Sequence, residues 1–170
     1  MEKKYRLLEN DTIMVNGTTL HRIEALKDFA DVKKGDKGGY VESEENLSHE
    51  GACWFFGDAW VSGNALVYGN ARVFDNAWVS DKACVSGKAC VSDNALVYGY
   101  ACVFGDAWVH GNARVYGYAC VSDKACVSGK ACVSDNACVF GDACVFGDAK
   151  VCGDARIYEG EIESGVITKK

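Results

Sequence analysis

This sequence predicts an all-β fold, a solenoid of stacked triangular coils with a hairpin cap at its N-terminal end, and three regularities predict it. From Gly51 to Tyr158 the chain reads without insertion as eighteen hexads, from Gly51-Ala-Cys-Trp-Phe-Phe to Gly153-Asp-Ala-Arg-Ile-Tyr. The third place is Ala in every hexad but the first, where it is Cys53; the fifth is Val in sixteen, Phe55 in the first and Ile157 in the last. The first place is Gly thirteen times and Asp five times, at Asp75, Asp81, Asp93, Asp123 and Asp135. A period this strict marks a repeat architecture whose units contact only their neighbours.

Residues 1–38 stand outside the repeat and are read as a hairpin and cap, 39–158 as the solenoid, and 159–170 as a C-terminal cap or tail. Asn16-Gly17 lies between two strand-like runs, Thr12–Val15 and Thr18–Ile23. An Asn-Gly pair so placed is the strongest short-range hairpin signal. Ala25–Val32 has no clear pattern, and Lys33–Gly39 is a glycine-rich turn. From Gly39 the six-residue frame is entered loosely, with Val41 and Leu47 set at the Ala place. A segment covering the open end of a solenoid blocks edge-to-edge association.

Inside the hexads, places three and five share a parity, so Ala and Val point to one side and places four and six to the other. Invariant small and branched residues suit a narrow interior, while the outward places vary freely. Places one and two make the corner, because Gly adopts positive φ without cost and Asn and Asp tolerate it. Three corners close a coil of 18 residues. The repeat then forms six coils, or seven with the loose entry, and six coils stack to about 29 Å.

The formal charge is -6, with -3 in residues 1–50, -2 in the repeat and -1 in the tail. That mild acidity gives no basis for gripping phosphates, so direct nucleic-acid binding is not expected. No segment approaches the roughly 20 apolar residues that span a bilayer, and the charged start Met1-Glu-Lys-Lys-Tyr-Arg is unlike a secretory signal. The expected location is the cytoplasm. Eight of the ten cysteines, from Cys84 to Cys144, occupy the fourth place, so they recur with the repeat and are read as free thiols. Cys84, Cys102, Cys120 and Cys138, each 18 apart, stack as one ladder. A straight ladder does not converge as a tetrahedral metal site requires, and neither a metal nor a cofactor is expected.

The hexads resemble those of the left-handed parallel β-helix in hexapeptide-repeat acyltransferases, and the resemblance implies left-handed winding. Gly38-Gly-Tyr-Val-Glu-Ser-Glu-Glu-Asn-Leu-Ser, followed by Cys53-Trp54 and Gly-Asn-Ala-x-Val hexads, resembles more closely the YdcK-type bacterial β-solenoids, often described as acetyltransferase-like. The resemblance covers about residues 20–158 and implies a bacterial or phage source. Glycine stands one place later after the aliphatic residue than in the enzymes. Acyltransferases of this fold work as trimers with a catalytic His and an acyl-CoA site between subunits, often shaped by a loop thrown out from a coil; this repeat has no such insertion. His110 is the one histidine in the hexads, and if the chain is an enzyme His110 is its catalytic residue.

The outward aromatics are the better candidates. Trp60 and Trp78 stand one coil apart, as do Phe56 and Phe74, with Trp54 nearby. Five large side chains at one edge suggest an interface, through self-association or with another protein. The expected function is a non-catalytic scaffold or protein-binding module. A third reading is a rigid decoy for a nucleic-acid enzyme, through rows of corner carboxylates at Asp58, Asp106, Asp142, Asp148 and Asp154, with Lys82, Lys88, Lys124 and Lys130 opposing their charge.

Overall fold

The computed structural model describes residues 2–169, and apart from one 3-10 turn at Glu44–Asn46 its regular elements are strands. Strands β1 (Tyr5–Val15) and β2 (Thr18–Ala25) form the antiparallel hairpin, pairing Val15 with Thr18 and Tyr5 with Ala25. Asn16 and Gly17 turn it with φ of 50° and 83°, the paired positive values that match the twist of the flanking strands. Strand β3 (Lys37–Val41) pairs antiparallel with β2 and parallel with Trp60–Val61, so the hairpin forms the edge of the first sheet. Gly39 lies where β3 passes so close to the coil that an added Cβ would meet the Ala59 carbonyl oxygen.

Each hexad supplies one short strand from places four and five, two residues long except at Lys150–Gly153, and successive hexads feed the three sheets in turn. The result is a parallel β-solenoid of about seven stacked coils. The first sheet runs through Trp60, Trp78, Leu96, Arg114, Cys132 and Lys150. The second runs through Trp54, Arg72, Cys90, Trp108, Cys126 and Cys144. The third runs through Leu66, Cys84, Cys102, Cys120, Cys138 and Arg156. Places two, four and six each donate an amide to the coil that follows, as in Tyr100 N to Gly117 O (2.7 Å), Cys102 N to Ala119 O (2.9 Å) and Phe104 N to Val121 O (3.0 Å). Three inter-coil bonds per hexad, corner included, supply what one Val per six residues cannot: ordering the backbone costs about 1 to 2 kcal/mol per residue, against about 1.5 to 3 kcal/mol for a buried Val.

The interior is the Ala and Val rows, fully buried along the repeat. At the corners the first-place residues hold positive φ, near 60° to 72° for most Gly and 57° to 61° for Asp. Four of the five Asp side chains bond the coil that follows: Asp81 Oδ2 accepts from Gly99 N (3.0 Å), Asp93 from Gly111 N (2.8 Å), Asp123 from Gly141 N (3.1 Å) and Asp135 from Gly153 N (3.0 Å). Gly and Asp are therefore two solutions to one constraint, the first by lacking a Cβ and the second by bonding an amide.

The frame changes at both ends. Val41 pairs with Val61 and Leu47 bridges to Val67, which puts both at the Val place rather than at the Ala place expected from Gly39. Phe55, the next residue of that row, follows Leu47 after eight residues instead of six, and Lys4 and Tyr5 occupy the ground around that longer step. Beyond Tyr158 the coil continues in five-residue steps, with Ile162 paired to Val145 and Ile167 to Val151, helped by Gly160 and Gly165 at φ 89°. At the N-terminal end, side chains satisfy the open carbonyls. Lys4 Nζ donates to Cys53 O (2.9 Å), the single Tyr5 hydroxyl proton is shared between Glu44 O (2.7 Å) and Leu47 O (2.8 Å), and Asn46 Nδ2 donates to Gly63 O (3.0 Å) and Ala65 O (2.9 Å). Buried backbone acceptors without such partners would be costly.

Candidate functional site

Each outward side chain sees the residue one coil above and one coil below, and its exposure depends on them. Trp60 and Trp78 lie on the first sheet with ring centroids 4.2 Å apart, flanked by Tyr40 and Leu96 in register. Phe56 and Phe74 stack at 4.7 Å beside the second sheet, and the Arg72 guanidinium lies over Phe56 while forking onto Asp31. All four rings are only half-exposed, because stacked rings shield one another. Trp54 corrects the expectation of a fifth outward aromatic: it is 1% exposed, packed edge-on against Phe29 (5.3 Å) and Tyr5 (6.2 Å) of the cap. Its place-four direction is outward, but the N-terminal segment folds over it.

The exposed apolar surface lies elsewhere. Among the described residues nine large apolar side chains stand exposed, and six of them belong to the hexads of the third sheet: Leu66, Tyr68, Tyr100, Phe104, Tyr118 and Tyr158. The other three, Met14, Trp108 and Val166, are scattered. Tyr100 and Tyr118, stacked at 4.8 Å and 47% and 63% exposed, form a ridge at the corner leading into the sheet. Tyr68, Phe104 and Tyr158 line the opposite corner, and the cysteine ladder runs between them. Writing the hexads in three columns would have exposed this face in the sequence; pairing aromatics only with their nearest equivalents hid it.

His110 sits on the second sheet, tilted against Trp108 at 4.4 Å. Its Nε2 is 3.5 Å from Cys126 Sγ and its Nδ1 is 3.8 Å from Asp93 Oδ2. Thiol, imidazole and carboxylate are thus in line, the order used in nucleophilic catalysis. Two features oppose that use: burial, then neighbouring Cys144, pushes the Cys126 thiol up, and Asp93 Oδ2 already accepts the Gly111 amide. His49 is part of the cap, stacked on Tyr5 at 4.4 Å and bonded to Glu44. His21 lies on β2, its buried Nδ1 3.9 Å from Glu9 Oε2 and without a hydrogen bond.

All ten cysteines are free. Cys84, Cys102, Cys120 and Cys138 are in parallel register on consecutive strands, as the 18-residue spacing requires. Burial raises Cys102 and lifts Cys120 to about 11, the latter with added repulsion from Cys138 and Cys102. Among the described residues no three His, Cys, Asp or Glu side chains converge on a point that could hold an ion. The corner carboxylates do not line up in one row: Asp58 and Asp148 precede first-sheet strands, Asp106 and Asp142 second-sheet strands, and Asp154 a third-sheet strand. Asp58 is also paired with Arg22 at 3.2 Å. No helix among the described residues is long and apolar enough to cross a membrane.

No curated protein matches this sequence. Residues 65–81, which reach from the third sheet through the first and second strands of the following coil toward its return, match the family model described as YdcK Beta solenoid repeat. With the parallel coils described above, that match makes this chain a carrier of a repeat similar to the YdcK β-solenoid unit.

Proposed function

We propose that this chain is a non-catalytic scaffold of bacterial or phage origin whose third sheet face docks a protein. The observation that supports it is the concentration of six exposed large apolar side chains on the third sheet and the two corners that flank it. A rigid solenoid presents such a face without reordering on binding, which lowers the entropic cost of association. Exposed apolar surface collected on one side, with rings standing clear of the sheet, is the usual mark of an interaction site. A second copy is the first partner to test, because the strand residues facing outward there are neutral except for Arg156. Left-handed winding and the cytoplasm belong to the same reading.

Light scattering on the purified protein tests it. A dimer or higher assembly that dissociates on replacing Tyr100 and Tyr118 with Ser, but not on replacing Trp60 and Trp78, supports the third face. Association lost only with the Trp pair returns the site to the first sheet, and association untouched by either change removes both. One observation favours a second reading, acyl transfer from acyl-CoA: the line of Cys126, His110 and Asp93. Binding of acetyl-CoA that His110→Ala abolishes would support it, and no binding by the native chain would end it.

A further inference from the structure

We propose that the ladder of Cys84, Cys102, Cys120 and Cys138 binds soft monovalent d10 cations, Cu(I) above all, each held linearly between two thiolates of neighbouring coils. The ladder would hold such an ion whatever the aromatic flanks bind. A tetrahedral ion needs four converging ligands, and a straight ladder cannot supply them. A two-coordinate ion needs only two sulfurs facing each other across a fixed gap.

The solenoid fixes that gap. The four cysteines are in register on consecutive parallel strands, so their Cα atoms repeat at the inter-strand spacing of about 4.8 Å, and sulfurs turned to matching rotamers repeat at the same distance. Two opposed metal–thiolate bonds of the length known for zinc, about 2.3 Å each, span about 4.6 Å. The spacing is too long for a direct sulfur–sulfur bond of about 2.05 Å without rotating both side chains toward each other, and it suits an ion between them. Thiolates favour soft ions, Cu(I) and zinc among them, and a two-sulfur site excludes the tetrahedral zinc.

Surroundings favour the same occupant. Each event is two thiols plus one M⁺ giving a bis-thiolate complex of net charge minus one plus two protons, with no change of oxidation state. The cation removes the thiolate–thiolate repulsion that otherwise opposes ionisation in the ladder. Arg156, in register beside Cys138, places a fixed positive charge at its end. Cys102 and Cys138 give up only weak thiol hydrogen bonds, to Tyr100 O (3.8 Å) and Asn136 O (3.6 Å). On the second sheet Cys126 and Cys144 form one further adjacent pair.

The remaining cysteines supply the control. Cys90 lies between Arg72 and Trp108, Cys132 between Arg114 and Lys150, and Cys152 beside Thr168, so none has a cysteine in register. The variants Cys102→Ser/Cys120→Ser/Cys144→Ser and Cys90→Ser/Cys132→Ser/Cys152→Ser remove equal numbers of thiols, but only the first removes every adjacent pair. Reduced full-length protein is titrated anaerobically with Cu(I) buffered by a colorimetric chelator. The native chain and the second variant are expected to compete alike, and the first to lose its competition for Cu(I). Equal weakening of both variants, or displacement of Cu(I) by equimolar Zn(II), overturns the proposal. A second measurement needs no variant: Cu(I) should protect Cys84, Cys102, Cys120 and Cys138 from alkylation while Cys90 and Cys132 stay reactive. Uniform protection, or none, refutes the ladder.

Discussion

The corner carboxylates offer a sharp test of how this solenoid is held. Asp81, Asp93, Asp123 and Asp135 combine a positive φ with a hydrogen bond to the first-place amide of the coil that follows. Replacing one by Ala removes the bond, about 0.5 to 1.5 kcal/mol at an exposed position. The Ala then holds a left-handed conformation with no local bond to favour it, about 1 kcal/mol more. Replacing it by Gly loses the same bond but relieves the backbone, leaving about 0.5 to 1 kcal/mol after the added freedom of the unfolded chain. The Cβ is already present in Asp, so Ala introduces no clash. Made at all four corners, which contact different coils and should add, the Ala set is destabilised by about 8 kcal/mol and the Gly set by about 3 kcal/mol. With a urea slope of about 2 kcal/mol/M, their midpoints fall about 2.5 M apart. Equal midpoints for the two sets would refute the reasoning, because the conformational strain and not the bond distinguishes them.

Three further outcomes follow from the core and the cap. Val103→Ala, in the middle of the stack, should cost about 2 kcal/mol in urea unfolding, and Ile157→Ala, near the end and only partly buried, less than half of that; equal losses would contradict a stack held by nearest neighbours. Lys4→Met leaves the Cys53 carbonyl without its donor, so amide hydrogen exchange should quicken in the first coil and remain unchanged beyond the third; a uniform change would show that Lys4 acts on the whole chain. Burial raises the Tyr5 phenol above its unfolded value of 10.0, so its contribution to stability is full below pH 10 and is lost as pH rises toward the folded value. Burial lowers Lys4, so the cost of holding its ammonium fades as pH rises, and the two act in opposite directions. The urea midpoint of Tyr5→Phe should therefore fall less steeply above pH 10 than that of the native chain; identical slopes would remove Tyr5 from the account.

The repeat was readable in the sequence because its cause is local: Ala at place three and Val at place five report one narrow interior eighteen times over. The hairpin was readable for the same reason, since Asn16-Gly17 determines its own turn. What the sequence hid depends on residues distant in the chain. Trp54 has the spacing of an outward residue and is buried only because Phe29 and Tyr5 cover it. Val41 and Leu47 stand one row from the place their spacing predicts, because the eight-residue step from Leu47 to Phe55 leaves no mark in composition. Exposure too is set by neighbours one coil away: Trp60 and Trp78 stack and shield each other, whereas Trp108, flanked by Cys90 and Cys126, is 50% exposed. The line from Cys126 through His110 to Asp93 brings together residues from adjacent coils, visible only once the 18-residue spacing is laid out as a surface.

The three-sheet geometry also sets how such a gene can change length. The segment from Asp81 to Ala95 recurs from Asp123, 42 residues on, which is seven hexads. Any whole number of hexads can be gained or lost with every Val still facing inward, so folding tolerates the edit. The exterior does not: a shift of six residues turns everything downstream by one sheet, and only a shift of 18 restores it. A six-residue deletion between Cys102 and Cys120 would move Cys120 and Cys138 to another face and cut the thiol ladder in two. Length polymorphism in this architecture is thus a combination lock, in which each hexad is one click, the core accepts every setting, and a surface pattern reappears at every third.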